Sequence, residues 1–316
     1  MKRNTLSDAQ AMKKRLLFLS KNSSDELKKF VVRANDASEN VSITHALYDD
    51  LIIEFCGENA SITLRSTGEN IASYDGIHCK SSTIRDLKGM IARYADRHNR
   101  VMIDGKMVRE FIAGSKLYQY DMLTAAGISI PRSIFMTPQA YVQEGSYETI
   151  ADTLGVPFVL KDIHTSRGRN NEVIRTLKDY EKMTQRVLGS EVYLIAQEFI
   201  PNDGDYRILV LDDAIELAIW RRRNDDSTHL NNTSQGSIAE LHDSADLPLE
   251  VQRDALNAKR ALKSDIAGVD MVRDNETGKW YCFEVNFGPQ MATGAFAEDK
   301  LQAYARFINH KLEAQS

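Results

Sequence analysis

The stretch Ala267–Gln290 reads AGVDMVRDNETGKWYCFEVNFGPQ, and it decides the fold. Two extended runs flank a polar turn. The first, Gly268 to Arg273, carries one acid, Asp270. The second, Lys279 to Asn286, alternates with period two. That period predicts Trp280, Cys282, Glu284 and Asn286 on one strand face, and Tyr281, Phe283 and Val285 on the other. Asn275-Glu276-Thr277-Gly278 has the composition of a hairpin turn. With Arg273 and Trp280 near the turn, within one residue of register, Asp270 falls opposite Glu284 or next to it. Two carboxylates and an amide oxygen then converge on one sheet face. Such a convergence raises a carboxyl pKa unless a cation lies between the groups. Mg²⁺ suits an all-oxygen set, taking one or two carboxylates and filling its shell with water and phosphate oxygens. An exposed hairpin with scattered polar residues has the same local pattern, so the other motifs must decide.

Composition narrows the classes. The chain has 316 residues, 42% hydrophobic and 27% charged, enough for a large core and two or three lobes. A net charge of −5 argues against a general nucleic-acid binder. Cys56, Cys79 and Cys282 are odd in number and far apart, which fits neither a disulfide framework nor a metal motif and points to a reducing cytoplasm. No apolar run approaches the ~20 residues of a membrane span.

Along the chain, Arg15–Leu19 reads as a buried strand, and Ser23 with Glu26 as a capping box opening a helix to about Ala37. Strands are predicted over 50–56 and 61–65, joined by Gly57-Glu58-Asn59. A helix over 84–98 follows, and a short strand at 101–103. This alternation predicts a small α/β domain over residues 1–113. Ser115 opens a helix carrying Leu117, Tyr120 and Leu123 on one face, stopped by Gly127. Val156–Leu160 is an apolar strand, which places Lys161 at its end as a point charge able to reach phosphate oxygens. Thr176 and Asp179 cap a further helix. The run 193–200 is a buried strand. Asp212-Asp213 turns the strand 206–211 into the strand 214–221, which ends in Arg221-Arg222-Arg223. Side chains alternate there, so Arg222 points opposite to its two neighbours. A helix starting at Pro248 carries Val251, Ala255, Ala258 and Leu262 on its inward stripe. The chain closes with a helix over 298–312.

The order of these features, a lysine, a second lysine, Gln-Glu-Phe-Ile, Asp-x-Arg, an arginine, Asp270 and Glu-Val-Asn, resembles the ATP-grasp ligases from about Gly114 onward. It is similar in particular to the ribosomal-protein glutamate ligases and their glutathione-synthetase-like relatives. The resemblance implies an ATP-grasp fold, two α+β lobes enclosing a nucleotide, behind a pre-ATP-grasp α/β domain. The lobes would be 114–192, with the nucleotide lysines, and 193–316, with the hinge and the metal site. It implies Lys116, Lys161, Gln197, Glu198, Phe199, Ile200, Asp205 and Asn232 as nucleotide-binding residues. It implies Arg207 near the substrate and Arg222 facing the reacting phosphate. It implies Asp270, Glu284 and Asn286 as the ligands of Mg²⁺, with Mn²⁺ as a substitute. Two segments depart from the family pattern. Thr165 and Asn170 stand where relatives have glycine in the phosphate loop, although Gly168 is kept. Leu230 replaces an expected arginine, and Ser237 a second glycine after Gly236.

The implied activity is ATP-dependent joining of a carboxylate to an amine through an acyl-phosphate, on an amino acid, peptide or protein. No nucleic acid or membrane is implied as a partner; related ligases are often dimers or tetramers, which makes a homo-oligomer the expectation. Two other classes share the same shell: a nucleotide-binding regulator that ligates nothing, and a kinase that phosphorylates a hydroxyl.

Overall fold

The computed structural model describes residues 12–80, 85–110, 115–164, 171–222 and 238–314. In chain order the elements are β1 (Lys14–Ser20), α1 (Asp25–Ala37), β2 (Val41–Leu47), β3 (Leu51–Cys56), β4 (Asn59–Leu64), β5 (Gly76–Cys79), α2 (Arg85–Arg97), β6 (Val101–Ile103), α3 (Gly105–Arg109), α4 (Lys116–Ala125), β7 (Ser133–Phe135), α5 (Pro138–Tyr141), α6 (Ser146–Leu154), β8 (Phe158–Asp162), β9 (Glu172–Ile174), α7 (Leu177–Val187), β10 (Leu194–Glu198), β11 (Asp205–Leu211), β12 (Ala214–Arg222), β13 (Ile238–His242), α8 (Leu249–Ala261), β14 (Ile266–Arg273), β15 (Trp280–Asn286) and α9 (Ala297–Glu313). They divide into two compact units. One runs up to Gly105 and takes in the chain from Leu301; the other is Lys106–Lys300.

The first unit is built on a parallel sheet of order β2-β1-β5-β6. Its central strand β1 is covered on both faces, so Leu16–Leu19 is a continuous apolar run rather than an alternating one. The cap of α1 is Ser24, one residue after the expected Ser23, and its side chain accepts from Leu27 N–H. The helix buries Leu27, Phe30, Val31 and Ala34. β3 and β4 form the expected hairpin, with Gly57 at φ +57° in its turn. β2 and β5 have no clear sequence signal: β2 carries polar residues on both faces, and β5 has only four residues. From the carboxy-terminal helix, the Tyr304 hydroxyl lies 2.6 Å from His78 Nδ1 in the core, where burial holds the His78 imidazole down at about 3.

The second unit contains two antiparallel sheets, β7-β10-β8-β9 and β13-β12-β11-β14-β15. In the first, Phe158, Leu160, Ile174, Leu194 and Ala196 pack with Tyr180 and Met183 of α7. The α7 capping box forms as expected, with Thr176 Oγ1 accepting from Asp179 N–H and Asp179 Oδ2 accepting from Thr176 N–H. β8 lies two residues later than expected, so Lys161 sits within the strand rather than past its end. One face of the five-stranded sheet packs on α8. The stripe Val251, Ala255, Ala258 and Leu262 is fully buried against Ile208, Val210, Ala218, Val269, Met271, Cys282 and Val285. The other face of that sheet carries charge. Among the described residues no helix is long and apolar enough to cross a membrane.

Candidate active site

Two β-bulges decide which side chains reach the charged face. In the β14–β15 pair, Arg273 lies opposite Trp280 and Met271 opposite Cys282, but Asp270 lies opposite Glu284. Phe283 is the extra residue. A bulge moves every later side chain of its strand to the other face. The strict alternation expected for 280–286 therefore fails: Trp280 and Cys282 turn to the α8 core, while Glu284 and Asn286 turn to the charged face beside Asp270. The β11–β12 hairpin has a second bulge, between Leu209 and Val210. There Val210 pairs with Ile215 and Leu209 with Leu217, which leaves Glu216 extra. Unbulged, Asp205 would face Trp220 and share a face with Arg222. Bulged, it faces Arg221.

The bulge brings Arg221, and not the expected Arg222, to the charged face. Arg221 is 6% exposed, and its Nε donates to Asp205 Oδ1 at 2.9 Å. Its Nη2 reaches both Asp205 Oδ2 and, at 3.0 Å, Asp270 Oδ1. Arg222 points to the opposite side, is half exposed, and pairs with Glu240 at 3.3 Å. The approach of β12 also requires Gly204, where a Cβ would lie 2.4 Å from the Arg221 carbonyl oxygen.

Asp270 is the centre of the cluster. Arg207, its direct partner across β11–β14, donates from Nε to Oδ1 and from Nη2 to Oδ2 at 2.9 Å, a bidentate fork. Asn286 Nδ2 lies 3.4 Å from Asp270 Oδ2. Burial raises the Asp205 carboxyl above the usual range; Arg221 opposes this and Asp270 adds to it. Burial likewise raises Glu284, with Lys116 pulling it back and Asp270 pushing it further. Among the described residues no three His, Cys, Asp or Glu side chains gather as a metal cluster. The set here is two facing carboxylates and an amide. The two carboxylates offer hard oxygen donors and repel each other, which fits a divalent cation that takes its remaining ligands from water or phosphate.

Both expected lysines reach this face. Lys116 begins α4, is 7% exposed, and sets Nζ 3.8 Å from Glu284 Oε1. Lys161 Nζ lies 4.9 Å from the Phe283 ring centre and donates to Gln197 Oε1. Burial lowers the Lys161 ammonium to about 8; Glu284 opposes the fall, Lys116 deepens it and Asp270 opposes it. The Gln197 amide is fully oriented. Its Nε2 donates to Tyr120 Oη and to Ser133 Oγ, each at 3.0 Å, and Tyr120 in turn donates to the Phe283 carbonyl at 3.3 Å. Gln197 is 1% exposed. Its hydrogen bonds fix the place of Lys161; the resemblance implied a nucleotide contact for Gln197. Tyr120, expected only as an apolar helix-face residue, closes the ring between β10 and β15.

Glu198 accepts from Arg132 N–H at 2.7 Å, and its own N–H donates to Arg132 O at 2.9 Å. Phe199 and Ile200 follow β10 directly, with Ile200 buried. Asn232, Leu230, Gly236 and Ser237 lie outside the described residues, as do Thr165, Gly168 and Asn170. One basic residue had no motif to announce it. Lys300 lies in the first turns of α9, where burial first, and then Arg207 and Arg221, bring its ammonium down to about 8.

Comparison with known proteins gives this face its context. A probable alpha-L-glutamate ligase of Shewanella loihica is 26% identical over 244 residues, covering 73% of this chain and 76% of that protein. The ribosomal protein bS6–L-glutamate ligase of Escherichia coli is 27% identical over 179 residues, 56% of each chain; the match thus spans about half the length of that relative. Among solved structures, the ATP-grasp ligase PsnB, complexed with a minimal precursor, Mg and ADP, superposes with a TM-score of 0.68 at 15% identity, covering 95% of this chain and 96% of that one. The mixed sheets and helices described above are those of the ATP-grasp fold. A family model for the RimK-like ATP-grasp domain matches residues 113–307, well over half of the chain. The chain belongs to the RimK-like ATP-grasp family.

Proposed function

We propose that this chain is an ATP-dependent carbon–nitrogen ligase that joins a carboxylate to an amine on an amino acid, peptide or protein, releasing ADP and phosphate. One observation carries the reading: Lys116 pairs with Glu284, Lys161 lies over the adjacent Phe283 ring, and Glu284 faces Asp270 across β14–β15, with Arg207 and Arg221 on the same sheet face. Residues 114–192 and 193–316 are read as the nucleotide lobe and the hinge-and-metal lobe, behind an N-terminal domain of 1–113.

Lys116 and Lys161 neutralise ATP phosphate oxygens. Gln197 and Tyr120 hold Lys161 in place, and the main chain of Glu198–Ile200 borders the base. Mg²⁺, for which Mn²⁺ can substitute, would be held by Asp270, Glu284 and Asn286, and when bound it supplies charge compensation for the phosphates. Asp205 and Asp270 orient Arg221, and Asp270 orients Arg207. These guanidiniums face the group to which the γ-phosphoryl moves. A substrate carboxylate oxygen attacks that phosphorus and ADP leaves. The amine nitrogen then attacks the acyl carbon, the carbon–oxygen bond to phosphate breaks, and the amine gives up a proton. Positioning and electrostatics supply the rate, with no protein nucleophile. Free thiols at Cys56, Cys79 and Cys282 suit a reducing cytoplasm.

The test is incubation with Mg-ATP and panels of amino acids and peptides, with ADP release followed and products weighed by mass spectrometry. A mass gain equal to one amide condensation, lost in Glu284→Gln, is expected. A phosphorylated product, or ATP binding with no turnover across the panel, would overturn the reading.

A pH dependence follows from Lys161. Its ammonium ionises at about 8 in the folded chain against an ordinary 10.5. The folded state then binds fewer protons than the unfolded state between those values, so this group's contribution to stability rises with pH across that window. Anion binding runs the other way. Above about pH 8 the charge is lost, and a bound phosphate must restore it by proton uptake. Calorimetry of ATP binding at pH ~9 in buffers of unlike ionisation heat should register that uptake, and Lys161→Met should abolish it. Gln197→Leu removes an acceptor from the charged form, and should move the onset of uptake to lower pH.

A further inference from the structure

The bulge at Phe283 leaves main-chain groups that the sheet itself cannot satisfy. β15 is an edge of the five-stranded sheet, so whatever turns away from β14 needs a partner elsewhere. Cys282 N–H donates to the Ser129 carbonyl at 2.8 Å. Two further groups are taken by side chains of α4. Tyr120 Oη donates to the Phe283 carbonyl at 3.3 Å, and Val285 N–H donates to Gln119 Oε1 at 3.2 Å. Between them stands Glu284, whose Oε1 lies 3.8 Å from Lys116 Nζ.

Lys116, Gln119 and Tyr120 are spaced i, i+3 and i+4, which puts them on one helix face, and all three are buried. That face is applied to three consecutive residues, Phe283, Glu284 and Val285. The start of α4 is itself tied to the exit of the strand bearing Lys161, since Lys116 N–H donates to the Ile163 carbonyl at 3.1 Å. A main-chain N–H only donates, so the Gln119 amide must turn its oxygen to Val285. The register gives this bond its consequence. In a regular edge strand that turns Cys282 N–H outward, Glu284 N–H would be the next to face α4, not Val285 N–H. In that register the Glu284 side chain would share the face of Cys282, toward the α8 core. Asp270 needs no such support, because β14 is paired on both sides, with β11 and with β15.

We infer that Gln119 is a positioning residue: through its hydrogen bond to Val285 it holds the bulged register of β15, and so keeps Glu284 turned to Asp270 and to the cation the two carboxylates share. This rests on the ligase reading above, in which Glu284 is a Mg²⁺ ligand. One helix face thus carries both a phosphate-reading lysine, Lys116, and the amide that sets the metal-binding carboxylate.

The test is calorimetry of ADP binding to the full chain, once in excess EDTA and once in saturating Mg²⁺. The ratio of the two affinities is the enhancement due to the metal. Gln119→Met keeps the side-chain length and removes the acceptor. It should cut the enhancement about tenfold, the loss expected when a buried N–H goes unsatisfied, and leave ADP affinity in EDTA within about twofold, since both lysines are untouched. Added to Glu284→Gln, it should cost nothing further, because the carboxylate it positions is gone. Tyr118→Ala, at a position 61% exposed on the same helix, should match wild type. If Gln119→Met fails to bind ADP in EDTA, Gln119→Asn, which draws the amide back by one methylene, decides on the same terms. A wild-type enhancement in the Gln119 variant would overturn the inference. So would an equal loss with and without Mg²⁺, which would make Gln119 a general support of the site, and so would the same tenfold cost in the Glu284→Gln background. A wild type that binds ADP with no enhancement by Mg²⁺ would overturn the metal assignment of Glu284 and the inference with it. Failure of the wild type to bind ADP in either condition would instead overturn the ligase reading itself.

Discussion

Asp270→Asn is expected to lower ADP release by about 10³-fold, roughly 4 kcal/mol of transition-state stabilisation, while the folded chain persists. Asp270 carries more of the charged face than any other described side chain. Arg207 grips it with two hydrogen bonds, Arg221 donates to it, Asn286 touches it, and Glu284 faces it across the strand pair. Asparagine keeps the shape and removes the charge. It can accept from one arginine, but it cannot balance two guanidiniums and still serve as a donor to a divalent cation. Arg221 keeps Asp205 as a partner, and Arg207 is partly solvated, so the loss falls on chemistry more than on folding. The check pairs steady-state ADP release with a thermal melt. A variant that melts a few degrees lower but turns over at a tenth of the wild-type rate or better would sink the assignment of Asp270.

Arg221→Ala is expected to show the opposite profile, with its effect on stability. Asp205 and Asp270 are 6% and 7% exposed, and Arg221 lies between them. Removing the cation leaves two buried carboxylates close together, which costs about 3–5 kcal/mol. Arg222→Ala removes only a half-exposed pair with Glu240 and should leave the denaturation midpoint within error. Urea unfolding of the two single variants decides between them. Equal destabilisation, or a larger loss from Arg222→Ala, would show that the bulged register is wrong. The pH dependence carries a sign. Burial already holds the Asp205 carboxyl above its unfolded value, so the folded chain binds the extra proton and stability falls as pH rises through that interval. Without Arg221 the carboxyl rises further and the interval extends upward. Arg221→Ala should therefore be least destabilised at acid pH and most destabilised at neutral pH.

Local sequence determined a good deal of this protein. The α8 stripe Val251, Ala255, Ala258 and Leu262, the Thr176–Asp179 capping box, the Asp212-Asp213 turn and the β14–β15 hairpin depend on periodicity and on groups a few residues apart, and all of them form. The order of lysines, Gln-Glu-Phe-Ile, Asp-x-Arg and Glu-Val-Asn pointed to the family, because each motif sits at the end or edge of an element whose type is locally encoded. Tertiary structure decided which side chains meet. A strand sequence states that neighbours alternate, but not which set faces the site. A single extra residue in each of two strand pairs, Glu216 and Phe283, reverses that choice. It is why Arg221 rather than Arg222 reaches Asp270, and why Glu284 parts company with Cys282. Gln197 and Tyr120 became positioning residues only once β10, α4 and β15 were packed together, since their partners are distant in sequence. Lys300 carries no motif at all. Its surroundings, with Arg207 and Arg221 near it, exist only in the folded chain.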